Sequence, residues 1–382
     1  MNVTFDARWI FREITGVGAV TRELLRHLAH LDDTHSYTVL FDDPEVRDRT
    51  WEETGAGENP AFRNHMVSTG VYSLRNQLET PGLLRSLGTD IYHATNAIVP
   101  LLAFPRDRRG DIACVATVHD VIPLKLPEFG RRSLKSRLRP LFRGMLREVG
   151  RRADAIVTDS EASRADTIEH LGIPPGRAGL VHAVHCGVTS SFRPAEPSDT
   201  GEPYILYVGR SDPYKNLTGL VRAFAASLAR NPSPLRLRIV GPRDPRYPEP
   251  ENLARELGIA DRVDWVGYLA DKPLLESYQG ASLLALPSRY EGFGLPVLEA
   301  MACGTPVLCS AAGGLAEVAG DAAVLCDPDD IEGMAAAIDR ILGDPQLRSS
   351  LRERGIAQAA QFSWENTCRK VLGLYASLGK RE

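Results

Sequence analysis

Two carboxylates, Glu291 and Glu299, stand with seven residues between them in the run Pro287-Ser-Arg-Tyr-Glu-Gly-Phe-Gly-Leu-Pro-Val-Leu-Glu-Ala-Met-Ala-Cys-Gly-Thr-Pro306. An apolar strand is expected to end at Leu286, and a helix to begin near Leu295 with Pro296 in its first turn, where the missing N–H costs nothing. Glu291 then precedes the helix and Glu299 lies inside it, about two turns on, so both can approach one face and reach opposite ends of one long ligand. Gly292 and Gly294 let the backbone close on that ligand. The helix N-terminus offers N–H donors and partial positive charge, which suit a phosphate. A second set is cationic. In Tyr204-Ile-Leu-Tyr-Val-Gly-Arg-Ser-Asp-Pro-Tyr-Lys-Asn216 a strand runs into Gly209 and Arg210, and Lys215 follows five residues later, before another helix. A bidentate guanidinium and a compact ammonium fit a diphosphate and would neutralise charge growing on a leaving group.

The first half of the chain holds two further sets. Gly16 and Gly18, in Thr15-Gly-Val-Gly18, sit between the expected first strand and first helix and permit close approach by a phosphate or an acceptor. His119 and Asp120, in Val118-His-Asp-Val-Ile-Pro123, close an apolar strand. Ser160 reads as a helix cap. Asp327-Pro-Asp-Asp330 is the nearest approach to a metal-binding Asp-x-Asp, but it leads into a helical run and reads as a turn and N-cap. No His or Cys cluster has metal-ligand spacing, so no metal site is expected.

The elements that must position these residues alternate in type. Strands are expected at 3–6, 37–41, 91–93, 115–119 and 155–158, then at 205–208, 237–240, 263–266, 283–286, 306–309 and 323–326, with helices such as 19–31 and 161–171 between them. Alternation of this kind gives parallel sheets covered by helices, in which ligands bind beyond the carboxyl ends of the strands. The Pro-rich stretch 193–203 reads as a linker. The expected division is a domain at 1–192, the linker, a domain at 204–362 and a C-terminal helix at 363–382 that can cross back to the first domain.

The 382 residues amount to about two domains. A net charge of −4 argues against a nucleic-acid binder. Cysteines at 114, 186, 303, 309, 326 and 368 form no CxxC pair, no signal-peptide pattern opens the chain, and no apolar stretch approaches a membrane span. A cytoplasmic protein is expected. Residues 131–152 carry eight Arg, one Lys and a single acid, with Leu134, Leu138, Leu141, Phe142, Met145 and Val149 at helical period. The plain reading is a helix packed on the core with a solvated basic face. The alternatives are peripheral contact with anionic lipid and attraction of an anionic acceptor.

Taken with the Gly209-Arg210 to Lys215-Asn216 turn, the Glu-x7-Glu run resembles glycosyltransferase family 4, and the match extends over both halves of the chain. The resemblance implies the GT-B fold: an α/β architecture of two facing Rossmann-like domains with parallel sheets. It implies a retaining hexosyltransferase in polysaccharide biosynthesis, with front-face attack and a donor phosphate oxygen taking the acceptor proton. Glu299 would hold the two ribose hydroxyls, and Glu291 a hydroxyl of the transferred sugar. Backbone amides of Gly292, Phe293, Gly294 and Leu295 would line the sugar and diphosphate. Gly209, Arg210 and Lys215 would form the diphosphate turn, and the base would sit near Gly267 and Tyr268. Gly16 and Gly18 would approach the donor phosphate, and His119 the sugar or phosphate; Asp120 would orient His119 or touch the acceptor. The run from His119 to Phe129 resembles the mannosyltransferase branch, which uses GDP-mannose; UDP-glucose and UDP-N-acetylglucosamine stay open as donors. The acceptor would be a glycan, a lipid-linked molecule or a small molecule. The rivals are an inverting transferase, a sugar-nucleotide 2-epimerase or a phosphorylase on the same architecture, and a catalytically idle sugar-nucleotide-binding subunit.

Overall fold

In the computed structural model the residues described are 1–129, 139–195 and 202–379. The chain forms two compact units. The first comprises Met1–Lys125, Leu138–Gly187 and Ser363–Glu382, and the second Leu126–Arg137 and Val188–Phe362. Residues 196–201 of the expected linker lie outside the described residues.

The first unit is built on a seven-stranded sheet in the order β3-β2-β1-β4-β5-β6-β7. Its strands are β1 (Asn2–Asp6), β2 (Ser36–Phe41), β3 (Phe62–Met66), β4 (Ile91–Ala94), β5 (Ala113–Thr117), β6 (Ala155–Thr158) and β7 (Val181–Ala183), and every pair is parallel. Parallel strands covered on both faces are apolar almost throughout, as in β5, buried at all five positions. β3 and β7 are additions to the sequence reading. Both are edge strands: β3 is the polar run Phe-Arg-Asn-His-Met and β7 has three residues, so neither carries an apolar signature. One face of the sheet buries Phe5, Leu25 and Leu28 together with Cys368, Val371 and Tyr375. Those last three belong to the C-terminal helix Trp364–Gly379, which therefore crosses back onto the first unit. Tyr375 Oη and His93 Nδ1 lie 2.6 Å apart beneath it. The other face buries Tyr92, Val118, Leu146 and Ile156.

The second unit holds a six-stranded parallel sheet in the order β10-β9-β8-β11-β12-β13. These strands are β8 (Tyr204–Val208), β9 (Arg236–Val240), β10 (Val263–Gly267), β11 (Leu283–Leu286), β12 (Val307–Ser310) and β13 (Val324–Cys326). Helices Leu217–Arg230 and Ile331–Gly343 pack together, as do Leu295–Ala302 and Pro345–Ala359. Observed strand and helix ends differ from expectation by a few residues at most; termini are where a periodic pattern carries least information.

Ser160 caps Glu161–Leu171 by accepting from the Ser163 N–H, and Asp330 caps Ile331–Gly343 by accepting from that of Gly333. Of the basic segment, 131–138 lies outside the described residues. The rest forms helix Arg139–Arg152, which buries Leu146 and Val149. Leu141, expected on its buried stripe, is instead 70% exposed. Among the described residues no helix is long and apolar enough to cross a membrane.

Candidate active site

In the second unit the residues singled out by the sequence gather at the carboxyl ends of β8, β10 and β11. β8 runs into Gly209, whose N–H bonds the Val240 carbonyl at 2.9 Å. The Gly241 N–H bonds the carbonyl of Gly267 at 2.8 Å. A Cβ on Gly241 would lie 2.0 Å from the Gly209 carbonyl oxygen, so the backbones of these strand ends touch only because that side chain is absent. Tyr268 follows Gly267 and is half-buried.

Beyond Gly209 the chain makes a short turn, Pro213–Lys215. It aims Lys215 at Glu291, with Nζ 2.8 Å from Oε1 and 3.0 Å from Oε2. The pair is largely buried, the side chains being 14% and 11% exposed. Ser288 Oγ donates to Glu291 Oε1 at 2.6 Å, and Ser310 Oγ donates to the Ser288 carbonyl. The cation and the carboxylate that the sequence assigned to different parts of a ligand are thus one cluster. Arg210 is half-exposed and donates through Nε to Asp212 at 3.0 Å and through Nη2 to Asp244 at 3.4 Å. It is an exposed guanidinium held by acids that an incoming phosphate could replace.

Glu291 is followed by Gly292, Phe293 and Gly294, and helix Leu295–Ala302 starts with Pro296 in its first turn. Gly294 is its N-cap, at φ 111°, and no side chain caps the helix, so the anion-attracting end is left to backbone amides. The loop is pinned from outside: the Gly314 N–H bonds the Glu291 carbonyl at 2.9 Å, and a Cβ on Gly314 would lie 2.3 Å from the Gly292 carbonyl oxygen. Gly314 escaped the sequence reading, and its pair with Gly313 was the only sign. Glu299 points from the helix to Tyr278, whose hydroxyl donates to Oε2 at 2.6 Å. Burial pushes the Glu299 carboxyl up to about 7, against the opposing pull of the Tyr278 hydrogen bond. A cavity of about 430 Å³ adjoins the same turn, lined by Ser211, Pro213, Asn216, Arg222 and Tyr247 but not by Lys215, Glu291 or Glu299.

In the first unit Thr15-Gly-Val-Gly18 is not a loop. Thr15 is the N-cap of helix Gly16–Leu31, and its side chain accepts from the Gly18 N–H. Gly16 is exposed, while Gly18 is buried with a virtual Cβ 3.1 Å from the Trp9 carbonyl oxygen, so packing alone explains a glycine at 18. The chain leading there is held by Arg8, a second feature the sequence reading missed. Arg8 is 2% exposed and donates to Asp6 at 2.8 Å and to the Thr69 carbonyl and Asn76 at 2.9 Å each.

His119 lies beyond the end of β5, next to Asp120. Asp120 Oδ1 accepts from the Ile122 N–H at 3.0 Å. Asp159, at the end of β6, is a partner of the ring that the sequence reading did not name, with Oδ2 2.7 Å from His119 Nδ1. Nε2 lies 3.1 Å from the Thr95 carbonyl. A carboxylate and a carbonyl only accept, so the two contacts favour hydrogen on both ring nitrogens, the charged form of the ring. Burial opposes that charge, but the charge and hydrogen bond of Asp159, with Thr95 and Asp120, outweigh it and hold the His119 pKa above its ordinary value. No local spacing could show this, because His119 and Asp159 are 40 residues apart.

Residues 14–192 match the family described as "Glycosyltransferase Family 4", and residues 188–358 that described as "Glycosyl transferases group 1". The chain is 30% identical to O-antigen chain mannosyltransferase B of Escherichia coli, over 99% of this chain and 100% of that protein. It is 34% identical to D-inositol 3-phosphate glycosyltransferase of Acidothermus cellulolyticus, over 70% of this chain and 62% of that protein. Among solved structures, sucrose-phosphate synthase of Thermosynechococcus elongatus superimposes with a TM-score of 0.77 at 24% identity, covering 99% of this chain and 98% of that one.

Proposed function

This chain belongs to glycosyltransferase family 4, and from that premise we propose that it is a retaining hexosyltransferase that moves mannose from GDP-mannose to a hydroxyl of a glycan, lipid-linked or small-molecule acceptor. The observation that carries the reading is the Lys215–Glu291 contact at 2.8 Å. A cation fit for a departing diphosphate and a carboxylate fit for a sugar hydroxyl meet at one point, where the bond between sugar and diphosphate would lie. Glu299 takes the ribose hydroxyls, and the amides of Gly292 to Leu295 face the sugar and diphosphate. Gly16, Gly18 and His119 belong to the first unit, the proposed acceptor side.

The acceptor hydroxyl attacks the anomeric carbon from the face the diphosphate leaves. The bond from that carbon to the phosphate oxygen breaks, the bond to the acceptor oxygen forms, and the acceptor proton passes to a donor phosphate oxygen. Arg210 and Lys215 supply the charge neutralisation that a divalent ion would otherwise give, so chelation by EDTA should leave turnover unchanged. The six free thiols, five of them buried, suit a reducing compartment, and the proposed location is the cytoplasm.

Mannose is favoured over other hexoses by the similarity to an O-antigen chain mannosyltransferase along the full chain. The second reading is a UDP-glucose- or UDP-N-acetylglucosamine-dependent transferase. A panel of GDP-mannose, UDP-glucose, UDP-N-acetylglucosamine and a dTDP-sugar, read by thermal shift and by donor hydrolysis, tests the assignment. Preference for any donor but GDP-mannose rejects the mannose reading, and absence of hydrolysis with every donor favours an idle binding subunit. Proton NMR of the product anomer tests retention.

A further inference from the structure

Several of the large apolar side chains that the described residues leave in water fall on neighbouring segments of the first unit. Tyr72 is 66% exposed, Leu74 83%, Leu78 71%, Leu102 60% and Leu141 70%. Leu74 and Leu78 are one turn apart on helix Leu74–Ser86 and share a face. Leu102 sits in the turn Leu101–Ala103. That turn is fastened to the helix by Gln77, which donates to the Val99 carbonyl at 3.1 Å and accepts from the Leu101 N–H at 2.7 Å. It is fastened to helix Arg139–Arg152 by Arg152, which donates to the Leu101 carbonyl at 2.9 Å. Leu141 lies one turn before Met145, which packs against the cluster of Trp9 and Val71. Trp9 in turn meets the Tyr72 ring edge-on, with centroids 5.5 Å apart. The segments are therefore interlocked, and an apolar surface of this kind marks an interaction site.

Its charge points to the partner. Glu148, the only acid on helix Arg139–Arg152, is held by Arg106 at 2.7 Å and by Arg152 at 3.0 Å. Arg143 and Arg147 are exposed and make no ion pair among the described residues. Exposed leucines with a tyrosine, flanked by uncompensated guanidiniums, fit a layer that is apolar inside and negative at its boundary. A second copy of the chain fits worse, since a two-fold contact through this face would bring the same arginines towards each other.

We propose that this face of the first unit docks on the surface of a bilayer containing anionic lipid, with Leu74, Leu78, Leu102 and Leu141 entering the acyl boundary, Tyr72 at the headgroup level, and Arg143 and Arg147 on the headgroups. The inference does not depend on which donor sugar is used.

The test is co-sedimentation of the full chain with phosphatidylcholine vesicles, with and without about one-third phosphatidylglycerol. Three proteins are compared: wild type, L74S/L78S and R143Q/R147Q. All these positions are exposed and outside the donor machinery, so circular dichroism and donor hydrolysis in solution should match wild type. The expected result is binding to the anionic vesicles, weak or absent binding to the neutral ones, a roughly thirtyfold loss for the arginine variant and a tenfold or greater loss for the leucine variant, on the order expected for two buried side chains. The proposal is overturned by no binding to anionic vesicles, by binding that both variants retain, or by a solution dimer that L74S/L78S dissociates. Loss of donor hydrolysis in the wild type would instead count against the enzymatic reading and leave the vesicle result to be judged alone.

Discussion

Asp159 accepts from Nδ1 of His119 at 2.7 Å, while Nε2 of the same ring lies 3.1 Å from the Thr95 carbonyl. Both contacts favour the cation, and the histidine pKa stands above its ordinary 6.5. The imidazolium's contribution to stability is accordingly complete below pH 6.5 and is lost as pH rises through the folded-state value. Asp159→Asn should bring the His119 titration down relative to wild type and move the alkaline loss of turnover to lower pH. An NMR titration of the ring, beside a pH–rate profile, checks this; an unmoved His119 pKa would contradict the pairing.

The Glu299 pKa is also raised, and so it also loses stability as pH climbs, but here it is the uncharged form that the fold favours. Its folded value, about 7, exceeds the ordinary 4.5, so the fold favours the neutral acid and loses stability as pH climbs from the ordinary value through about 7. Glu299→Gln keeps the Tyr278 hydrogen bond and removes the charge. It should melt higher than wild type at pH 8 and equally at pH 4, yet bind nucleotide about tenfold to a hundredfold more weakly, the loss expected for hydrogen bonds to an ionised group. Calorimetric titration with GDP at pH 8, paired with melting curves at both pH values, reads both effects.

Lys215→Ala strands Glu291, which is 8% exposed, without its counter-ion. Breaking a buried pair from one side costs about 3 kcal/mol, and removing the cation from the leaving group should lower kcat by about a hundredfold or more. Lys215→Met combined with Glu291→Gln should regain most of the stability and none of the activity. Urea unfolding with single-turnover kinetics separates the two; recovery of turnover in the double variant would refute the assigned roles.

Gly314→Ala places a methyl 2.3 Å from the Gly292 carbonyl oxygen, a backbone atom that yields only if the Glu291–Phe293 loop shifts. Overpacking of this kind costs on the order of 1–3 kcal/mol. Donor affinity should fall with it, although residue 314 need not touch the donor. A crystal structure of the variant should show the loop displaced.

Local pattern alone was enough for much of this protein. Apolar runs ending in glycine or polar residues marked the interior strands, and Glu291, Gly294, Pro296 and Glu299 marked a strand–loop–helix corner, because those signals depend on residues a few positions apart. The edge strands β3 and β7 were invisible because strands with little buried surface need no apolar alternation. The first turn of helix Gly16–Leu31 reads as a loop ahead of a helix at 19–31, because its cap, Thr15, is weaker punctuation than the two glycines after it. Tertiary structure decided the pairings: Lys215 with Glu291 across 76 residues, His119 with Asp159 across 40, Tyr375 with His93 across 282. Each brings charge or hydrogen-bonding groups together from different elements, and the packing of those elements, not the spacing along the chain, sets the distances.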